Sequence, residues 1–193
     1  LHGCGAGDDL GFGVTRAGRH ATVPRSEEMV GLFINTLPGR VRLTPELGCR
    51  DLLAGIRTQS IALRAHEHTP LVRVLGWSEV PRGQELFDTL LVYDHRTLHD
   101  ALETSGIAGE QRRFEYRGQT NFPLTLIGYG GDELLLRLEY DPRRFETDDV
   151  RRLLGHLRTV LVSLPAAAVS ETRAVELPLL TPEEERQILH GRN

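Results

Sequence analysis

Met29-Val30-Gly31-Leu32-Phe33-Ile34-Asn35-Thr36-Leu37-Pro38-Gly39-Arg40 is the stretch from which this chain is best read. Ile34, Thr36 and Leu37 favour extended backbone and lie close to Val41 and Leu43, so residues 34–43 read as a strand. Pro38 has no N–H for a sheet ladder, which predicts an edge, a bulge or a break at that point. Two polar residues stand beside this apolar run. Asn35 needs hydrogen-bond partners wherever it is buried, and Arg40 seeks a carboxylate or phosphate. From the residues alone, a structural turn contact for Asn35 and a surface ion pair for Arg40 stand beside a functional role for each.

The bulk properties narrow the classes. A chain of 193 residues fits one domain, or one lobe of a larger unit. With 39% hydrophobic and 26% charged residues it has the composition of a soluble globular protein. A net charge of -4 gives no reason to expect nucleic acid or an anionic membrane as partner. All 23 basic residues are arginine, which excludes a Schiff-base lysine, a phosphate-loop lysine and a Ser-Lys dyad. Cys4 and Cys49 form no Cys-x-x-Cys and are too few for a disulfide framework, so a reduced, cytoplasmic setting is expected. No apolar run nears the roughly 20 residues that span a bilayer, and the start lacks a signal-peptide pattern. Leu1-His2-Gly3-Cys4-Gly5-Ala6-Gly7 reads as the tail of a helix and turn that began earlier.

Along the chain, residues 10–15 make a short strand candidate weakened by glycines. Thr44 and Pro45 offer an N-cap and a first-turn proline, and residues 49–66 keep helical spacing through Leu52, Leu53, Ile56 and Leu63. Pro70 opens a short helix to Trp77. Residues 86–93 form a dense apolar strand, residues 95–110 a loop with a weak helical turn, and residues 113–117, 123–129 and 133–140 successive strands. Gly130-Gly131-Asp132 signals a hairpin between the last two. Thr147, followed by Asp148 and Asp149, caps a helix whose stripe from Val150 to Leu164 should pack on the sheet and which Pro165 should end. Thr181-Pro182-Glu183-Glu184 is a capping box opening a last helix to about Leu189. The expected fold class is α/β, a mixed sheet with packed helices.

The opening stretch closely resembles the Val-Gly-Leu-Phe-Ile-Asn-Thr-Leu-Pro-x-Arg motif of condensation domains in nonribosomal peptide synthetases. The resemblance continues in order. Phe12-Gly13-Val14 with Gly18-Arg19 is similar to the family's strand and Ser-Gly-Arg-Pro segment, with His20 in place of proline. His66-Glu67-His68-Thr69-Pro70-Leu71 resembles His-Gln-Asp-x-Pro-Phe but departs from it at Glu67, His68 and Leu71. The stretch Leu86-Phe87-Asp88-Thr89-Leu90-Leu91-Val92-Tyr93 looks like the strand that usually follows Asn-Pro-Leu. Asn121-Phe122-Pro123-Leu124-Thr125-Leu126 looks like Asn-Tyr-Pro-Leu-Thr-Leu, and Tyr140-Asp141-Pro142 with Phe145 like Tyr-Asp-x-x-x-Phe. Leu177-Pro178-Leu179-Leu180-Thr181 is similar to the junction into an adenylation domain.

The resemblance implies one lobe of a chloramphenicol-acetyltransferase-like two-lobe fold. Residues 1–165 would be the C-terminal lobe of a condensation domain, and residues 166–193 the linker and first helix toward an adenylation domain. Such domains join two aminoacyl thioesters held on the phosphopantetheine of carrier proteins, in the secondary metabolism that builds peptide antibiotics. They bind no cofactor of their own. The implied partners are the N-terminal lobe, the carrier proteins and the adenylation domain, with self-association through an exposed lobe interface. Asn35 and Arg40 are the implied substrate-tunnel or lobe-interface residues, with Asn35 donating hydrogen bonds that orient the substrates or shape the pocket around the developing oxyanion and Arg40 bracing a carboxylate across the lobe interface. No catalytic residue is expected in this chain, because His-His-x-x-x-Asp-Gly is absent, and the chain alone is expected to be inactive. A degenerate module that recruits a tailoring enzyme, and an acyltransferase acting on a free small molecule, stand as alternatives.

Other constellations carry less. His66 and His68 sit before Thr69-Pro70 with no third ligand, so a solvated helix end is expected and no metal site. Asp8-Asp9 and Asp148-Asp149 read as turn and helix-start residues. No Gly-x-Ser-x-Gly elbow is present.

Overall fold

The computed structural model describes residues 8–19, 24–26, 28–81, 83–94 and 120–190. The chain divides into two compact units, one of Leu1–Gly11, Arg40–His66 and Pro142–Asn193, the other of Phe12–Gly39 and Glu67–Asp141. Five strands make one mixed sheet: β1 (Asp9–Arg16), β2 (Asn35–Arg42), β3 (Thr89–Asp94), β4 (Leu124–Tyr129) and β5 (Leu135–Tyr140), in the order β2-β1-β3-β4-β5. The β1–β3 and β3–β4 pairs are parallel, and β4–β5 is antiparallel. The α/β class is therefore as expected. Pro38 lies in β2 at the sheet edge, where its missing N–H costs no ladder bond.

Among the described residues, the second unit holds most of the buried apolar side chains. Leu37, Phe87, Leu90, Leu124 and Ile127 are buried, together with Thr125. The Phe87 ring stacks on Phe122, with centroids 5.5 Å apart. Gly13 in β1 makes room for Phe87, since a Cβ there would lie 2.3 Å from the ring. A glycine that weakens a strand by propensity is here required by packing. The β4–β5 hairpin runs from Leu124↔Tyr140 to Tyr129↔Leu135, with Gly130 and Gly131 in its loop. A short helix, α2 (Leu71–Trp77), begins directly after Pro70.

The first unit is helical. It contains α1 (Cys49–Leu63), continued by a 3-10 turn (Arg64–His66), then α3 (Thr147–Val169), a 3-10 turn (Ala174–Glu176) and α4 (Pro182–His190). Helix α3, expected against the sheet, has α1 as its packing neighbour within this unit. Fully buried Cys49 donates its N–H to the Thr172 carbonyl at 2.9 Å, beside a bridge between Gly48 and Arg173.

Several boundaries differ from expectation. Helix α1 starts at Cys49 behind Gly48, while Thr44 accepts a turn bond from the Leu47 N–H, so Thr44 and Pro45 belong to the preceding turn. Pro165 does not end α3. Ala166, Ala167 and Ala168 follow it, and alanine has the highest helix propensity. Its last turn is closed by Ser170 N–H to Ala166 O and Thr172 N–H to Ala167 O, both 3.1 Å. Thr147 is the first helical residue, with Glu146 at the cap position. The expected strand over 86–93 begins only at Thr89, because Phe87 turns into the core. The readings of residues 1–7, 95–110 and 113–117 lie outside the described residues.

Candidate functional site

Asn35 opens β2 and is half-buried. Its Nδ2 donates to the carbonyl oxygens of Glu67 at 2.9 Å and Thr69 at 2.7 Å. A carboxamide has two N–H hydrogens, and both are spent on these backbone acceptors. The two flanking carbonyls also fix which end is nitrogen, since an amide oxygen there would face two acceptors. In this arrangement Asn35 has both N–H hydrogens on the backbone and not on a substrate. What it offers is a fixed Oδ1 acceptor and a grip on the 67–69 loop.

The gripped loop carries a buried acid. Glu67 has only 4% of its side chain exposed and is bound by Arg16 Nε at 3.1 Å from the end of β1, with Arg16 itself 17% exposed. Glu67 is the one charged side chain that is buried among the described residues. Such a charge is tolerated only when paired. His66 and His68, flanking it, are exposed. Among the described residues, no cluster of His, Cys, Asp or Glu has the makings of a metal site.

The approach to β2 is organised by Arg19. Its guanidinium donates to the carbonyls of Ser26 at 2.9 Å, Met29 at 2.8 Å and Gly31 at 3.1 Å, and lies 4.6 Å from the centre of the Phe33 ring. Gly18 makes the turn with φ +63, and a Cβ there would sit 2.3 Å from the Phe33 carbonyl oxygen. This scaffold holds an apolar run outward: Val30, Leu32 and Ile34 are exposed, Leu32 to 90%. An ordered loop that presents large apolar side chains to solvent is characteristic of a surface meant to be covered.

Arg40, at the other end of β2, has no partner in common with Asn35. It forms a fork with Asp9, Nε to Oδ1 at 2.8 Å and Nη2 to Oδ2 at 2.6 Å, joined by Arg42 Nε at 3.1 Å. Asp9 is thus a strand residue serving two arginines, and the turn expected there is replaced by the start of β1. The Arg40 guanidinium holds the Asp9 carboxyl at about 2, and Asp9 in turn raises Arg40. Arg40 lines a hollow of about 210 Å³ with Arg42, Asp51 and Gln59, smaller than the roughly 300 Å³ at which ligand sites begin. Gln59 grips the Arg40 backbone, accepting its N–H at 3.1 Å and donating to its carbonyl at 2.7 Å.

Arg19 was visible in the sequence only within the Gly18-Arg19 resemblance, and Glu67 only as a departure from a motif. Arg16 and Gln59 gave no signal, because their partners are 51 and 19 residues distant.

At the far end of the chain, the expected capping box is present. Thr181 N–H and Oγ1 reach Glu184 Oε2 at 2.8 and 2.9 Å, and Glu184 N–H returns to Thr181 Oγ1 at 3.3 Å. His156 of α3 meets the same carboxylate at 2.9 Å. Among the described residues, no helix is long and apolar enough to cross a membrane.

Residues 1–189 match the Condensation domain family. The chain is 35% identical over 185 residues to a linear gramicidin synthase polypeptide of Brevibacillus parabrevis, covering 96% of this chain and 2% of that protein. It is 32% identical over 158 residues to surfactin synthase subunit 3 of Bacillus subtilis (strain 168), covering 81% and 12%. Among solved structures, its fold is similar to a holo four-domain nonribosomal peptide synthetase bound to AMP and glycine (TM-score 0.75, 18% identity, 95% of this chain and 15% of that one). It is also similar to a mutant starter condensation domain of rhizomide synthetase in complex with C8-CoA (TM-score 0.62, 17% identity, 90% and 38%). The chain spans only a small part of the synthetases it matches in sequence. On the match across nearly its full length, this chain belongs to the condensation-domain family of nonribosomal peptide synthetases.

Proposed function

We propose that this chain is the C-terminal, acceptor-side half of a condensation domain that forms peptide bonds between aminoacyl groups carried as phosphopantetheine thioesters. The observation that carries the reading is the outward-facing apolar run of Val30, Leu32 and Ile34 beside the clamped Asn35. A surface this apolar, held in place by Arg19, suits burial under a partner lobe.

In the assembled domain, the acceptor amine attacks the donor thioester carbonyl. The C–N bond forms, the C–S bond breaks, and the donor carrier's thiol leaves with the proton the amine gives up. The base for that step is not supplied here, since the chain has no His-His-x-x-x-Asp-Gly, so the chain alone is inactive. Asn35 contributes by fixing the 67–69 loop and presenting Oδ1 toward the tunnel. Arg40 with Asp9 stiffens the end of β2. Residues 166–193 make the linker toward an adenylation domain, and α4 is its first helix. Carrier proteins and the adenylation domain are the partners, in the cytoplasm.

The test is a condensation assay on the complete synthetase, with defined donor- and acceptor-loaded carrier proteins. Dipeptidyl product is expected, reduced about tenfold or more in a folded Asn35→Ala variant, the scale of loss that follows from misplacing reacting groups. No product despite verified loading would replace this reading with a module that recruits a tailoring enzyme.

A further inference from the structure

We propose that Glu67 and Arg16 are the positioning pair of the Asn35 site, a role that rests on the reading of this chain as part of a condensation domain. The three residues form one relay. Arg16, closing β1, binds the Glu67 carboxylate at 3.1 Å. The backbone of Glu67 and of Thr69 then accepts both hydrogens of the Asn35 carboxamide, at 2.9 and 2.7 Å. The amide cannot rotate unless the 67–69 backbone moves, and that backbone is tied to β1 by the buried carboxylate.

Glu67 is poorly suited to any other task. Its side chain is nearly sealed from solvent, while the neighbouring His66 and His68 face water. A buried carboxylate with a single arginine donor gains little stability over an uncharged side chain, so its use here is directional. It pins one point of a loop that otherwise follows a solvated 3-10 turn, Arg64–His66. Asn35 holds the loop from β2 and Arg16 holds it from β1, so the acceptor atom Oδ1 is set by two strands at once.

The experiment uses the complete synthetase, with condensation measured well below the unfolding transition of each variant. Glu67→Ala and Arg16→Ala are each expected to lower kcat about tenfold, with KM for the carrier proteins unchanged, because reacting groups shifted by about an ångström lose rate without losing docking. Glu67→Gln keeps an acceptor for Arg16 and is expected to retain activity within about threefold. The double variant Arg16→Ala with Glu67→Ala should be no slower than the worse single variant, since both break one relay. A folded Glu67→Ala with the natural kcat would overturn the proposal, as would Glu67→Gln as slow as Glu67→Ala. Should Asn35→Ala leave condensation untouched, the tunnel role of Asn35 fails, and amide exchange over residues 66–70 decides the positioning claim. Faster exchange in Glu67→Ala, restored in Glu67→Gln, supports it; unchanged exchange overturns it.

Discussion

The side-chain nitrogen of Asn35 lies 2.7 Å from the carbonyl oxygen of Thr69, so the first residue of β2 closes a loop 34 residues further along the chain. With a second bond to Glu67, this carboxamide is a structural clasp next to the apolar run in sequence.

Removing the clasp should be measurable without any assay of function. Asn35→Ala leaves two half-buried carbonyls without their donor and is expected to cost about 2 kcal/mol in urea unfolding. Asn35→Asp should cost more at neutral pH, because it sets a carboxylate against the same two carbonyl oxygens. A stable Asn35→Asp variant would mean that the two carbonyls do not hold this side chain.

Gly18 should be the least replaceable glycine of the β2 approach. Its φ of +63 and the 2.3 Å approach of a Cβ to the Phe33 carbonyl combine two penalties. Gly18→Ala is expected to destabilise by more than about 2 kcal/mol. Gly83 is the matched control: its φ is +88 but nothing lies within 4 Å, so Gly83→Ala should cost only about 1 kcal/mol. Equal losses at the two positions would remove the steric part of this account.

The α4 docking should depend on pH. The Thr181 backbone N–H, with further bonds from His156 and the Thr181 hydroxyl, holds the Glu184 carboxyl down to about 2 from its ordinary 4.5. A carboxyl whose folded value is depressed contributes stability above its ordinary range and loses it as pH falls through the folded value. The contribution of Glu184 is therefore complete above about 4.5 and disappears toward 2. NMR titration of the Glu184 carboxyl should show a midpoint near 2, and α4 should loosen in that window. Thr181→Ala keeps the backbone donor and removes the hydroxyl, so the midpoint should move only part of the way back. A midpoint at the ordinary value in the natural chain would mean that the capping box does not persist in solution.

Exposed Leu32 gives the 193-residue chain a reason to self-associate. Sedimentation at high concentration should show association by the natural chain and a monomer for Leu32→Glu. A strictly monomeric natural chain would count against an interface on this surface.

The parts that were legible in the sequence are those whose causes are local. The Thr181-Pro182-Glu183-Glu184 box could be read because its donors and acceptors are three residues apart. Pro38 announced an edge, a bulge or a break because its missing N–H is a property of one residue, and β2 is an edge. Thr44-Pro45 has the look of a helix start, yet the helix begins at Cys49, where a bridge from Gly48 to Arg173, distant in sequence, sets the entry. Pro165 reads as a stop by the same local logic, yet the helix runs on through Ala166, Ala167 and Ala168 to Val169. At the candidate site the family motif pointed to Asn35. Its chemical role depended on where its two hydrogens went, and both partners lie more than 30 residues away. Arg40 needed Asp9, 31 residues earlier, before its fork could be seen as an ion pair at the sheet edge.

Gln59 accepts the Arg40 N–H and donates to the Arg40 carbonyl, so one side chain of α1 reproduces both hydrogen bonds that a neighbouring strand would make. Pro38, two residues earlier and facing the same way by the alternation of a strand, has no N–H to give. The outermost strand thus has two successive outward positions out of service, one by a surrogate partner and one by a missing donor. A free strand margin is a template on which other extended chains can line up. A margin closed in this way offers that template only in part.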